Sequence, residues 1–586
     1  MAKKIVLSSN AEEVAKSRYY NNGEDWESCC RRVSEAVASV EKDKIGYSEK
    51  FGEMIYNMDF LGGGRILRNS GKQKGSSLNC YHLQIADSIS EIGEFMKSSL
   101  IIWASGGGVG VNMSSLRPKG SPILGKGGFS SGMVTFLTAA DALAKTIESG
   151  GQRRAAGLAS LDISHPEIFD FIDSKTTHGD ISYFNISVMV NDEFLEAVER
   201  DMDWDLKFKQ KVYKTVKARD LWDKIVYNMV HHAEPGILNT SNLMKNNSYY
   251  FAPISGVNPC GEATLSAGES CCLGSLVLPN FITGNVNTNW QKLERVIKLA
   301  VRFLDNVIDT NVYDLPIIDE KTHDSRRIGL GAMGLADYLF AKKIRYGSKD
   351  AINETEKLVR FIRDVAYQAS VELAKEKGSF PKFDPIMYGK ASFIRKLPAS
   401  LRMDIKKYGI RNVTLMSFAP TGSSSLLPEC VGGIEPLMFR GYKRVDRVSE
   451  RIYIHPKYKE LLLSGEPIPD WFVDMSDLTP NDHFEMQTAV QKWCDGSVSK
   501  TVNAPKGTTE EQLSKYLLEY IHDLKGTTVY IDETRSGQVY NRLSEEEAFD
   551  IIANQTIGEN SLEINDVECN CTKINDGTDI CKIPQK

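Results

Sequence analysis

The chain has 586 residues, 41% hydrophobic and 25% charged, ample for one large catalytic core or two to four domains and too long for a disulfide-stapled miniature. A net charge of −6 speaks against a general nucleic-acid or anionic-membrane binder, and no run approaches the roughly 20 apolar residues of a membrane span. Eleven cysteines, an odd number behind an opening MAKKIVLSSNAEEV too poor in apolar residues for a secretory leader, point to a cytoplasmic protein whose reduced thiols serve metal or redox chemistry.

In chain order, residues 1–58 are expected to form a helical leading segment, because Val14, Tyr19 and Tyr20, then Val33, Val37 and Val40, fall on one stripe at helical spacing. From Leu61 to Tyr540 short glycine-bounded apolar runs alternate with longer amphipathic stretches, such as Trp290 to Val312 and Ala351 to Lys377. That alternation is the pattern of an α/β architecture. Glycine clusters at LGGGRI, ASGGGVGVN, ILGKGGFSSG and ESGGQRRAAG mark places where the backbone turns tightly or approaches a ligand. The expected division is 1–58 helical, 59–543 α/β, and 544–586 a helix-like SEEEAFDIIANQ followed by a polar, mobile tail with Cys569, Cys571 and Cys581. Three sulfurs at irregular spacing fall one short of a four-thiolate zinc site, so redox use of the tail is at least as good a reading.

Several motifs carry a bland reading beside a functional one. GLGAMG, Gly329 to Gly334, matches a dinucleotide fingerprint, but the charged KTHDSRRI before it lacks the buried strand such a turn needs. Helix packing is the preferred explanation, and a nicotinamide-dependent dehydrogenase a remote alternative. GSPILGKG, Gly120 to Gly127, approaches a P-loop but has glycine where the magnesium-binding hydroxyl belongs and a proline that removes a donor, leaving a nucleotide-effector loop open. HHAEPG at 231–236 lacks the i, i+4 histidine pair of a helical zinc site. APTGSSS, Ala419 to Ser425, offers amides and hydroxyls to an anion, above all if a helix starts there. In NPCGE, Asn258, Cys260 and Glu262 alternate, so an extended segment would turn an amide, a thiol and a carboxylate to one side. An isolated cysteine would be better read as structural.

With these motifs in order, the chain resembles the large catalytic chain of a ribonucleotide reductase from about Asp59 to Thr534. The resemblance rests on LNCYHL with ADSISEI, SGGGVGVNMSSLRPKGSPI, GGQRRAAGLASLDISHPEI, FNISV, NPCGE, ESCCLG, RRIGLGAMGLAD, APTGSSS with GGIEP, and SVSKTVNAP with GTTVY. It implies a ten-stranded α/β barrel of two antiparallel halves, each of five parallel strands, around a finger loop that carries Cys260. It also implies that a thiyl radical on Cys260 takes the 3′-hydrogen of a ribonucleotide, with Glu262 as base for the 3′-hydroxyl and Asn258 holding the ribose hydroxyls. Cys80 and Cys271 are implied as the pair that closes to a disulfide, the family's eleven-residue spacing from Cys260 selecting Cys271 over Cys272. Cys569, Cys571 and Cys581 would re-reduce that pair by thiol–disulfide exchange.

Thr421, Gly422, Ser423, Ser424 and Ser425 match the family's substrate-phosphate loop. Asp87 and Ser88, with Arg117 as phosphate partner, match its specificity site for a deoxynucleotide or ATP effector, and Gln152, Arg153 and Arg154 match the loop that relays effector identity. Between Leu61 and Asn69, GGGRIL departs from the family's small-residue and Pro-Thr pattern. With about 60 residues ahead of the barrel there is no room for an ATP-cone, so overall control by ATP and dATP is not expected.

The radical source separates the classes of this family. Arg-Gly-Tyr in FRGYKR lies too far upstream for a glycyl radical, and the adjacent pairs Tyr19-Tyr20 and Tyr249-Tyr250 precede the phosphate loop, whereas a chain served by a separate metal-radical subunit needs a pair after it. SVSKTVNAP, GTTVY and APTGSSS with GGIEP are most like the vitamin B12-dependent class, so adenosylcobalamin is the expected cofactor and the subunit-dependent class the alternative. Expected partners are a ribonucleotide substrate, the effector, a thioredoxin- or glutaredoxin-like reductant and a second copy of the chain. Direct nucleic-acid and membrane contacts are not expected.

Overall fold

A computed structural model describes residues 5–123, 127–149, 153–176, 181–284, 286–445, 450–532 and 540–562. Three helices lead: α1 (Ser9–Arg18), α2 (Trp26–Ala38) and α3 (Lys44–Tyr56). Each starts at a side-chain cap, Ser8, Asp25 and Asp43, whose oxygen accepts from a first-turn amide and so satisfies a donor that a helix start leaves open. On α2, Trp26, Cys29, Val33 and Val37 are buried at three- and four-residue spacing, the stripe expected of an amphipathic helix. Val40 lies beyond the Ser39 C-cap and is exposed, so the stripe stops short of the valine pattern.

The core elements follow in order: β1 (Phe60–Gly62), α4 (Gly64–Asn69), β2 (Cys80–Leu83), α5 (Ile89–Ala104), β3 (Gly108–Asn112), β4 (Ala156–Asp162), β5 (Phe184–Val190) and β6 (Gly236–Asn239). Then come β7 (Glu269–Cys271), β8 (Leu273–Val277), α6 (Trp290–Thr310), β9 (Gly329–Met333), α7 (Lys349–Lys377), β10 (Thr501–Ala504) and β11 (Gly526–Ile531). Strands β2 to β6 lie side by side and parallel. β7 joins the outside of β2, antiparallel to it; at the other edge β11 runs antiparallel to β6, with β10 parallel beside it. The result is one eight-stranded sheet.

A second sheet sets β8 between antiparallel β1 and parallel β9. Only Cys272 separates β7 from β8. Single parallel pairs, Leu330 with Met416 and Phe418 with Val498, link β9 through the segment at 416–418 to the chain leading into β10. β8 and β9 are buried along their whole length, as parallel strands covered on both faces are. Outside them, α6 packs against α7. The mixed α/β class agrees with the alternation read from the sequence.

GLGAM is itself β9, not a turn that follows a strand. A Cβ on Gly331 would stand 2.4 Å from the Ser417 carbonyl oxygen, so the missing side chain is what lets 416–418 pair beside it. Gly329 and Gly331 therefore serve strand packing, not the helix packing expected, whereas Gly334 does start a helix, Leu335–Ala341, as its left-handed N-cap at φ 75° close against Pro279; the dinucleotide turn is absent from this segment.

Contacts divide the described residues into two compact units, and all of these core elements belong to the first, which runs to Met438 and resumes from Asp470. The second begins at Phe439, leaves at Pro469 and resumes in the chain around Tyr540. It holds a three-stranded antiparallel sheet of Gly441–Val445, Glu450–Ile454 and Tyr540–Arg542, with helices Pro456–Ser464 and Glu545–Leu562 packed on each other. Arg-Gly-Tyr of FRGYKR is thus the start of a strand. Among the described residues no helix is long and apolar enough to cross a membrane.

Candidate active site

The cysteine of NPCGE sits at the tip of a hairpin. Gly256–Val257 pairs antiparallel with Thr264–Leu265, and between them the chain turns, with Gly261 at φ 78° donating its amide to the Asn258 carbonyl at 3.0 Å. This differs from the extended segment expected: the side chains of 258, 260 and 262 are gathered by a turn, not by strand alternation. The hairpin lies on β3 because Gly110 has no side chain; a Cβ there would be 2.0 Å from the Val257 carbonyl oxygen. Its far end is tied to the core where the Glu262 carbonyl accepts from the Ser497 amide at 2.8 Å and the Ser417 hydroxyl at 2.7 Å.

Cys260 is exposed, whereas Asn258 and Glu262 are buried. Asn258 Oδ1 accepts from the Ala263 amide at 2.9 Å, which holds the loop closed. Asn258 Nδ2 and Glu262 Oε2 are buried without a hydrogen-bond partner among the described residues. Orphan polar atoms of this kind cost free energy unless something fills them. Burial pushes the Glu262 carboxyl up to about 7, the Asn258 amide beside it pulling the other way. The group is therefore poised between acid and base near neutral pH.

Cys80 and Cys271 are register partners across the antiparallel pair β2 and β7, a relation whose Cα separation falls in the range a disulfide spans. Neither cysteine is in a disulfide, and the Cys271 thiol donates to the Cys80 carbonyl at 3.4 Å. Hydrogen bonding to the Cys80 side chain, then burial, raises the Cys271 thiol above the ordinary range. Cys272 points the other way, its thiol donating to the Leu304 carbonyl of α6 at 3.4 Å. Adjacent residues of an extended chain face opposite ways, which separates the two cysteines here.

A cavity of about 390 Å³ joins these groups: Cys80, Cys260 and Glu262 line one part, and Thr421, Gly422, Ser423 and Ser424 another. Thr421 has φ 53°, and its hydroxyl accepts from the Gly433 amide at 2.8 Å, which binds APTGSSS to GGIEP. No α-helix follows this loop, only a 3-10 turn at Ser424–Leu426; Ser425 is buried behind it, outside the cavity lining. A second cavity of about 250 Å³ shares Cys260 and Pro420 with the first and is otherwise walled from β4, β5, β6, β10 and β11 and the residues around them. Thr527, on that wall, has a buried hydroxyl without a partner among the described residues.

Asp87 and Arg117 meet in an ion pair, Arg117 Nε lying 2.9 Å from Asp87 Oδ2. Ser88 spends its hydroxyl capping α5, accepting from the Glu91 amide at 3.2 Å. Arg153 and Arg154 form a short strand that pairs antiparallel with Glu148 and Ser149. Gln152 and the tail thiols Cys569, Cys571 and Cys581 lie outside the described residues.

Sequence reasoning missed three guanidinium groups. Arg18 from the leading segment, with Arg65 and Arg68 of α4, lines the first cavity. Arg65 Nε donates to the Gly106 carbonyl at 3.1 Å, and the departure GGGRIL was the only local signal that this wall is unusual. Nothing near Arg18 in the sequence hints at its place, since its contact partner Ser423 is 405 positions away.

Comparison with known proteins matches residues 6–75 to the all-alpha domain of ribonucleotide reductases and residues 78–530 to their barrel domain. The chain is similar to a vitamin B12-dependent ribonucleoside-diphosphate reductase of Thermoplasma acidophilum, 33% identical over 84% of this chain and 66% of that protein. It is similar to one of Mycobacterium tuberculosis, 33% identical over 91% of this chain and 81% of the relative. A ribonucleoside-diphosphate reductase subunit alpha of Chlamydia trachomatis is 26% identical over 88% of this chain and 58% of its own length.

Proposed function

The chain belongs to the ribonucleotide reductase family, and from that premise we propose that it reduces ribonucleotides to 2′-deoxyribonucleotides with adenosylcobalamin as its radical source. The observation that carries this reading is the position of Cys260 between two cavities, with Glu262 and Cys80 lining the first and Cys271 opposed to Cys80 in the strand register.

In this reading the first cavity holds the nucleotide. The Cys260 thiyl takes the 3′-hydrogen, and Glu262 Oε2, which has no protein partner among the described residues, receives the 3′-hydroxyl proton. Asn258 Nδ2, equally open, donates to a ribose hydroxyl. The 2′-hydroxyl leaves as water, and the two electrons and two protons that replace it come from Cys80 and Cys271, which become a disulfide. Cys260 then returns the hydrogen to C3′. The tail thiols would reopen the disulfide, and the Asp87 to Arg117 region would take the effector.

The second cavity suits the nucleoside end of the cofactor: it mixes apolar walls with hydroxyl groups, reaches Cys260 and presents the unpartnered Thr527 hydroxyl. Thr527, with Ser187, Ser499 and Thr501, would hold that group. When bound, the cofactor supplies a radical by homolysis of its Co–C bond. The protein's share is to aim Cys260 and keep water out.

The strand pairings support the family's barrel. Counting β7 and β8 as one strand interrupted at Cys272, and 416–418 as another, gives five parallel strands β2 to β6 and five more, β8, β9, 416–418, β10 and β11. The halves meet antiparallel at β7 with β2 and at β11 with β6.

The test is deoxynucleotide formation from CDP or CTP with dithiothreitol in the dark, with and without adenosylcobalamin, beside Cys260→Ala. Turnover that needs the cofactor and vanishes in the variant supports the reading. Turnover only with an added metal-radical subunit would replace the cobalamin assignment by the subunit-dependent class.

A further inference from the structure

Helix α1 is fastened at both ends to the loop of Thr421 to Glu429. At its start the Ser8 hydroxyl donates to Glu429 Oε1 at 2.7 Å, and at its last turn Arg18 Nη1 donates to the Ser423 hydroxyl at 3.0 Å. Thr421 and Glu429, which bound the loop, both hold positive φ, 53° and 54°, a conformation that costs a non-glycine residue free energy and persists only where neighbours enforce it. The helix is therefore a strap over the hydroxyl-rich wall of the first cavity.

The charge lining that cavity is one-sided. Arg18, Arg65 and Arg68 face a single carboxylate, Glu262, among the residues that line it. Arg18 is exposed at the rim, and neither Arg18 nor Arg68 meets a carboxylate among the described residues. Arg18 has further N–H donors beyond the one given to Ser423, and a guanidinium with open donors matches a phosphate oxygen pair.

We propose that Arg18 is a specificity-determining residue, contacting the outermost phosphate of the nucleotide so that the cavity takes nucleoside di- and triphosphates in preference to monophosphates. This rests on the assignment of the first cavity to the substrate.

The test measures binding of CMP, CDP and CTP to the full chain by calorimetry, with parallel steady-state kinetics in the presence of adenosylcobalamin and dithiothreitol. Arg18→Ala is expected to weaken CDP and CTP by about 10- to 100-fold, the worth of one charge-assisted contact, to leave CMP nearly unchanged, and to raise KM with kcat little altered. Arg18→Lys recovers part of the loss. Lys16→Ala, which removes a like charge from the same helix turn outside the cavity, binds all three as the unaltered chain does. Equal affinities of Arg18→Ala and the unaltered chain for CDP, or a loss as large for CMP, overturn the proposal. Arg18-dependent binding of CDP without deoxynucleotide formation would retire the reductase reading and leave Arg18 standing; turnover with an unchanged KM in Arg18→Ala would do the reverse.

Discussion

Cys80 and Cys271 face each other across an antiparallel strand pair although 191 positions separate them in the chain. Two thiols in that relation close to a disulfide without moving the backbone far. With Cys569, Cys571 and Cys581 changed to serine so that the tail cannot reopen the disulfide, a single turnover without external reductant is expected to form one deoxynucleotide and to consume these two thiols, read by differential alkylation and mass spectrometry. Cys272→Ser keeps that stoichiometry, because its thiol faces α6. Loss of Cys272 in place of Cys271 would contradict the assignment.

Glu262 sets an expected pH dependence. As a base it works only when ionised, so kcat/KM should climb as pH rises through about 7, where burial holds its carboxyl. Stability runs the other way. A folded-state value above the ordinary one makes protonated Glu262 favour the fold, fully so below the usual carboxylate range, and the contribution fades as pH rises through about 7, by about 3 kcal/mol. Glu262→Gln should lose activity by about 10²- to 10⁴-fold and flatten the stability profile in denaturant titrations across that window. A limb near neutrality that survives in Glu262→Gln would assign the base elsewhere.

Gly110 and Gly93 should respond oppositely to alanine. At Gly110 a methyl group would meet the Val257 carbonyl at 2.0 Å, so the hairpin that carries Cys260 must shift; a loss of about 1–3 kcal/mol together with most of the turnover is expected. Gly93 lies within α5 with nothing within 4 Å of an added Cβ, and alanine there should stabilise by about 0.5–1 kcal/mol. Thermal unfolding of the two variants decides; a tolerated Gly110→Ala with normal activity would show that the close approach does not position the hairpin.

Asp305 of α6 anchors the helix to its surroundings. It is fully buried, accepts from Arg326 Nε at 2.8 Å, Arg411 Nε at 3.2 Å and Asn412 Nδ2 at 3.0 Å. Burial alone would raise its carboxyl, yet Arg326 and Arg411 hold it below the usual range. A depressed carboxylate stabilises above its unfolded value and loses that contribution as pH falls through the folded one, so acid sensitivity should ease in Asp305→Asn. Asp305→Ala, which leaves Asp309 as the remaining carboxylate beside Arg326 and Arg411, should cost about 1–3 kcal/mol in chemical denaturation; no measurable cost would mean that water replaces the carboxylate.

The sequence by itself determined which reactive groups the chain carries: NPCGE, ESCCLG and APTGSSS supply thiols, a carboxylate and a hydroxyl-rich loop, and alternating apolar runs set the α/β class. These are local properties, written in residue type and spacing. Tertiary structure alone decided that Cys80 opposes Cys271, that a turn and not a strand gathers Asn258, Cys260 and Glu262, that GLGAM is a buried strand, and that Arg18 reaches Ser423. Each depends on register between segments far apart in the chain, and register is settled by which glycines admit a neighbouring backbone and which faces must leave water, not by any one segment's own pattern.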